Sequence, residues 1–227
     1  MTKPENGSLV VLVSDFIRIS GFDIRIFSRI LSPRMDINWI IAGVLAAACV
    51  IMMLLERWGL PVVLTLGIKG DLKRESRWFA QYGQFACSLV GAAIVARLDE
   101  RGWKVAGPLV IAPLTIGLLG GGIKRVLGRV RPGHPGAGHF MGFSARHANW
   151  RESFPSNHSA TAVSFSVGLA YLYPPIAIIV WPLALITASI RYLMDAHWPS
   201  DVLGGVCFGY VMTPVIWGML RHLAYFA

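Results

Sequence analysis

Charge is what this sequence lacks. Only 15% of its 227 residues are Asp, Glu, Lys or Arg, against about 25% in a typical soluble domain. Hydrophobic residues make up 55%, and the mean hydropathy is +0.57. So large an apolar surplus cannot be buried in one water-soluble core, which excludes a soluble enzyme. Cysteine is scarce as well. Cys49, Cys87 and Cys207 lie far apart in apolar stretches, so they offer neither a zinc-ligand spacing nor a disulfide framework. Nothing repeats at a fixed period, and there is no low-complexity tract. No short apolar core near the N-terminus is followed by a small-residue cleavage site, so a signal peptide is not expected. Negative charge is the scarcest: 12 Asp plus Glu stand against 21 Lys plus Arg, a formal net charge of +9. A surplus of that sign suits nucleic acid, anionic lipid or an anionic substrate, and composition does not choose among them.

What the chain does contain is long apolar runs. A bilayer core takes about 20 apolar residues per helix. Charge-free stretches near that length fall at 37–55, 78–96, 105–123, 159–173, 176–190 and 202–220. They predict an all-α, polytopic membrane bundle of about six transmembrane helices over 37–227. The fourth and fifth runs are short and are split by Pro174-Pro175. Residues 9–31 follow another pattern. Val13, Phe16, Ile17, Ile24, Phe27, Ile30 and Leu31 recur at helical spacing, while Asp15, Arg18, Arg25 and Arg29 gather on another face. That many charges would not cross lipid, so 1–36 is expected to be an interfacial amphipathic segment rather than a nucleic-acid arm. The expected setting is a multi-pass protein of the cell membrane.

Topology narrows the search for a site. The third-to-fourth and fifth-to-sixth connections are two crossings apart, so they emerge on one membrane face, and the first-to-second connection joins them. Basic residues divide nine against twelve between the faces, too even a split to set orientation. The longest polar stretch is 124–158, and a loop of that length in a compact protein is usually functional.

Three clusters share that face. Lys124 to Pro132 follows the Gly120-Gly121-Gly122 end of the third run, Pro155-Ser156-Asn157-His158 opens the fourth, and Arg191 to Asp201 precedes the sixth. Lys124, Arg131 and Arg191 suit a doubly charged phosphoryl group, the arginines through bidentate contacts. Ser156 suits an N-cap, and a helix start is an anion site. His158 and His197 are side chains able to attack or carry a proton near neutral pH. Asp201, four residues beyond His197, is within reach to orient one ring nitrogen. Singly, each has a plain reading: Lys124 and Arg131 as interfacial anchors, Ser156 as a cap, Asp201 as a carboxylate favouring a helix N-terminus. Their joint spacing is what selects a shared site.

That spacing resembles the type 2 phosphatidic acid phosphatase superfamily, which includes membrane lipid phosphatases and, more distantly, vanadium haloperoxidases. The family pattern is K-x6-R-P, P-S-G-H and S-R-x5-H-x3-D. Lys124, Arg131 and Pro132 match the first block. Pro155, Ser156 and His158 match the second, with Asn157 in place of Gly. Arg191, His197 and Asp201 match the third, with Ile190 in place of Ser. The resemblance implies that His197 is the nucleophile, Asp201 its orienting acid and His158 the proton donor to the leaving oxygen. Lys124, Arg131, Ser156, Asn157 and Arg191 would hold the phosphoryl oxygens. It further implies no metal and no cofactor, because cations do a metal's work. The implied substrate is a lipid phosphate or diphosphate: a polyprenyl diphosphate, phosphatidic acid, phosphatidylglycerol phosphate or lipid A phosphate. The active site would face the periplasm or exterior, with both termini cytoplasmic and, in a Gram-negative cell, in the inner membrane. A non-catalytic lipid carrier or flippase would explain the bundle but not the histidines, and a vanadate-dependent haloperoxidase would be soluble. Oligomeric state is not readable. His134, His139 and His147 carry no metal spacing. Glu152 and Arg151 are possible headgroup contacts, Asp195 is expected to be structural, and Gly205-x3-Gly209 is expected to permit close helix packing.

Overall fold

The computed structural model describes residues 35–60, 62, 70–194 and 196–222. The interfacial helix expected over 9–31, and Asp195, lie outside the described residues. Within them, regular structure is helical: α1 (Trp39–Arg57), α2 (Gly70–Ala80), α3 (Phe85–Leu98), α4 (Trp103–Leu127), α5 (Asn157–Leu172), α6 (Ala177–Leu193) and α7 (Pro199–His222). Short 3-10 turns occupy Gln81–Gly83, Asn149–Arg151 and Pro174–Ile176. A single isolated β-bridge pairs Arg129 with Phe140.

The all-helical membrane bundle is as expected; the count of six crossings is not confirmed. Among the described residues, four helices are long and apolar enough to cross a bilayer: α1, α4, α6 with its leading 3-10 turn, and α7. The run at 78–96 is broken into two pieces bent by 60°, which adds at most a fifth crossing. The break falls at Gln84, whose backbone is extended (φ −96°, ψ 147°). The run at 159–173 becomes α5, whose 16 residues are short for a span. Eleven of those 16 are buried, so α5 is a core helix packed by α4, α6 and α7. Pro174 and Pro175 end it because neither can continue its hydrogen bonding. By contrast, α1 leaves Trp39, Ile40, Val44 and Val50 exposed, as a lipid-facing helix does.

Two local features bring the polar clusters together. A Cβ at Gly205 would overlap the Ser156 carbonyl oxygen, and one at Gly209 the Ala160 carbonyl oxygen. The small residues therefore let α7 lie backbone-to-backbone on α5, as expected, and the Ser156 N–H donates to the Asp201 carbonyl at 2.9 Å. At the end of α4, Gly128 takes a left-handed cap conformation (φ +61°). A side chain there would be strained and would meet the Gly142 carbonyl and Arg151. This turn folds the following loop over the bundle mouth, where Val130 N–H bonds the His139 carbonyl at 2.9 Å and Met141 N–H the Gly128 carbonyl at 3.0 Å.

Candidate active site

The mouth holds a cavity of about 630 Å³, lined by Lys124, Arg131, Asn157, His158, Arg191 and His197 together with Gly117, Leu118, Gly121, Gly122, Arg125, His147, Asn149 and Glu152. Six of the eight residues picked from sequence thus meet on one surface. Lys124 and Arg191 occupy the last turns of α4 and α6, where the partial negative charge of a helix C-terminus favours cations. Asn157 and His158 open α5, at the end that favours an anion.

The cations are only partly satisfied by protein. Lys124 Nζ donates to the carbonyls of Glu152 at 2.9 Å and Ser153 at 3.4 Å. Arg131 makes two long bonds, Nη1 to the Ala196 carbonyl at 3.3 Å and Nη2 to that of Glu152 at 3.5 Å. Among the described residues, the Nε atoms of Arg131 and Arg191, like that of Arg129 behind them, are buried without a hydrogen-bond partner. Such donors, held close together, are costly unless an anion meets them.

The other two predicted residues, Ser156 and Asp201, are both fully buried and stand behind the cavity lining. Ser156 caps α5, its Oγ accepting from Ser159 N–H at 3.5 Å and Ser159 Oγ–H at 3.0 Å. Asp201 faces His197, with Nδ1 and Oδ2 3.6 Å apart. That is ion-pair range but too long for a hydrogen bond, and Nδ1 has no other partner. Asp201 is fixed from three further sides. Trp198 N–H donates to Oδ2 at 2.9 Å, Ser153 Oγ donates to the same oxygen, and Arg129 Nη1 donates to Oδ1 at 2.5 Å.

Burial, followed by the nearby Arg191, Lys124 and Arg131 charges, pushes the His158 imidazole down to about 4. Burial lowers His197 as well, against the opposing pull of Asp201. Both rings therefore favour the neutral form when no anion offsets the cations.

The departures from the family pattern are accommodated differently. Asn157 is helical, so no glycine-only conformation is asked of it. Its Nδ2 donates to the Gly117 carbonyl at 3.1 Å, and its side chain fills the space that a Cβ on Gly120 would need. Ile190 stands where the family has Ser, and Ser189 is exposed, so it does not supply the missing hydroxyl. Arg129, Glu56, Ser153 and Ser200 went unread in the sequence, yet they form the wall behind Asp201. His147 is more than a loop residue: its Nδ1 lies 2.9 Å from both Glu152 carboxylate oxygens at the cavity rim. Arg151 points away, donating to the Gly142 carbonyl at 2.6 Å.

Fold and site define a class: an all-helical membrane bundle that gathers Lys124, Arg131 and Arg191 with His158 and His197 on one cavity. The chain belongs to the PAP2 superfamily, which matches residues 105–224. It is 40% identical over 117 residues to a lipid A 1-phosphatase of Rhizobium johnstonii, covering 48% of this chain and 47% of that protein. The lipid A 1-phosphatase of Rhizobium etli is 38% identical over 117 residues, with 48% and 50% covered. A decaprenylphosphoryl-5-phosphoribose phosphatase of Mycobacterium tuberculosis is 33% identical over 136 residues, 59% of this chain and 70% of that protein. The matched region spans about half the length of the Rhizobium relatives. No solved structure matches the chain.

Proposed function

We propose that this protein is an integral membrane lipid phosphatase, and that it cleaves a lipid phosphate or diphosphate through a phosphohistidine at His197. The observation that carries the reading is the convergence of Lys124, Arg131 and Arg191 on one cavity with His158 and His197. Cations placed around a transferring phosphoryl group stabilise the charge of its transition state, typically the largest contribution to such catalysis.

In the proposed cycle the neutral His197 ring attacks phosphorus while Asp201 holds its Nδ1 side. A P–N bond forms, the bond from phosphorus to the lipid oxygen breaks, and His158 gives that oxygen its proton. Water then attacks phosphorus, His158 takes a proton from it, and inorganic phosphate leaves His197. The dianion offsets the field of the three cations, so its arrival raises the proton affinity of His158 and readies it to act as an acid. A positioned acid of this kind contributes about 10²–10⁴-fold. Lys124, Arg131, Arg191 and Asn157 would contact the phosphoryl oxygens directly. Ser156 would act by capping α5 and holding its first turn.

The names of the relatives point to lipid A 1-phosphate and to a decaprenyl-linked phosphoribose phosphate. These head a substrate panel with phosphatidic acid, phosphatidylglycerol phosphate and polyprenyl diphosphate. We place the protein in the cell membrane, with its cavity on the periplasmic or exterior side. The test is phosphate release by purified full-length protein across that panel, wild type against His197→Ala. Loss of at least a thousandfold in kcat is expected, since a nucleophile cannot be bypassed. Undiminished release by the variant would sink the mechanism.

A further inference from the structure

We propose that Glu56 and Arg129 are positioning residues for the nucleophile: a guanidinium clamped between the carboxylates of Glu56 on α1 and Asp201 on α7 fixes Asp201 behind His197 and sets the charge there. The inference rests on the reading of His197 as nucleophile.

Arg129 lies two residues before the cavity-lining Arg131, yet its side chain is 2% exposed, and those of Glu56 and Asp201 are 3% and 0% exposed. One guanidinium nitrogen meets Glu56 Oε2 at 2.7 Å, and the other meets Asp201 Oδ1 at 2.5 Å and Ser200 Oγ at 2.7 Å. Glu56 is tied back to α7 in turn: Ser200 N–H donates to Oε1 at 2.9 Å and Ser200 Oγ–H to Oε2 at 2.5 Å. Phe140 and Trp198 both pack against the guanidinium, 5.3 and 5.4 Å from its carbon to the ring centroids. The guanidinium is thereby locked in its plane.

Two consequences follow for His197. Asp201 cannot turn, because both its oxygens are held by donors other than the imidazole. The charge behind the ring is also fixed. Glu56, Arg129 and Asp201 together carry one net negative charge, which favours the cationic ring formed when His197 takes the phosphoryl group. Without Glu56 the remaining pair is neutral and that stabilisation is lost. A helix with its outer face in lipid thus reaches the reacting centre through one carboxylate.

The experiment uses full-length protein in dodecyl maltoside, with lipid A and dioctanoyl phosphatidic acid as substrates and orthovanadate as the phosphate-site probe. Glu56→Gln keeps the shape and removes the charge. It is expected to lower kcat about tenfold to a hundredfold, as loss of a partner behind a reacting group does. KM and vanadate Kd should stay within about twofold, because no phosphate ligand is altered. Combining it with Arg129→Lys should cost less than the product of the two single effects, as expected within one network. Wild-type kcat per folded molecule in Glu56→Gln, alongside an inactive His197→Ala, would overturn this proposal alone. No phosphate release by wild type from either lipid would overturn both readings. If Glu56→Gln does not fold, Glu56→Asp carries the test: lowered kcat with unchanged vanadate affinity supports the proposal, and full kcat overturns it.

Discussion

Arg129 and Arg131 are the same residue type two positions apart, and the protein treats them in opposite ways. Arg129 is packed against two aromatic rings and bonded to Glu56, Ser200 and Asp201. Arg131 faces the cavity with two long bonds to carbonyl oxygens and none to a carboxylate among the described residues. One has both terminal nitrogens bonded to carboxylates and a hydroxyl; the terminal nitrogens of the other meet carbonyl oxygens at long range. The difference teaches how to tell a structural cation from a ligand-binding one when both are buried: by the carboxylates and hydroxyls that meet it, not by its depth.

Substitution should separate the two along different axes. Arg129→Ala leaves Glu56 and Asp201 buried without their cation. Breaking such a pair typically costs about 3–5 kcal/mol, so a large drop in melting temperature in detergent is expected, or failure to accumulate folded protein. Arg131→Ala removes a cation that forms no salt bridge with a carboxylate among the described residues. Its melting temperature should stay near that of wild type, while kcat/KM falls about 10²–10³-fold, as for loss of one donor to a transition-state oxyanion. Equal stability losses in the two variants would erase the distinction.

The next effect concerns the frame that holds Arg129 against Asp201. Gly209→Ala would push a methyl group into the Ala160 backbone and separate α5 from α7. A loss of about 1–3 kcal/mol in stability is expected. Gly218→Ala, on the same helix with open space around it, is the control, and should be neutral or slightly stabilising through helix propensity. If Gly209→Ala is as silent as Gly218→Ala, the close packing does not hold the network in place.

The cavity lining was legible because its residues lie in short motifs with fixed spacing, at the ends of apolar runs. Lys124, Arg131, His158, Arg191 and His197 all fall at or beside the ends of those runs, and the structure gathers them on one cavity. Arg129 was hidden by its neighbours: in a basic run it reads as one more interfacial charge. Glu56 closes an apolar run and looks like an anchor. Yet an acid near a helix C-terminus works against the local dipole, which is the signal that it has a partner. The expected count of six crossings is not confirmed, in part because the second run breaks at Gln84. Composition averages over a run and does not register the one residue whose backbone turns extended. Nor could hydropathy foresee that α5 is buried by its neighbours instead of facing lipid, since a core helix and a spanning helix share an apolar composition.

The last contrast between the two arginines is read by pH, and its effect per step is the smallest. Burial and the cavity cations, which have no carboxylate salt-bridge partner among the described residues, hold His158 at about 4, against about 6.5 in an unfolded chain. A histidine lowered on folding contributes stability that is fully present above about pH 6.5. As pH falls from there towards 4, the unfolded chain gains a proton that the folded one refuses, and stability is lost. The slope for one such group is at most about 1.4 kcal/mol per pH unit. Melting temperature should therefore decline below pH 6.5 and be flat from there to about 8. His158→Gln should make the decline shallower. Arg131→Ala should do the same in part, by removing one of the charges that oppose the imidazolium. Arg129→Lys should leave the slope unchanged, because it keeps the positive charge and Arg129 is not among the cations acting on His158. A slope that responds to Arg129→Lys as strongly as to Arg131→Ala would mean that the two arginines share one electrostatic field after all.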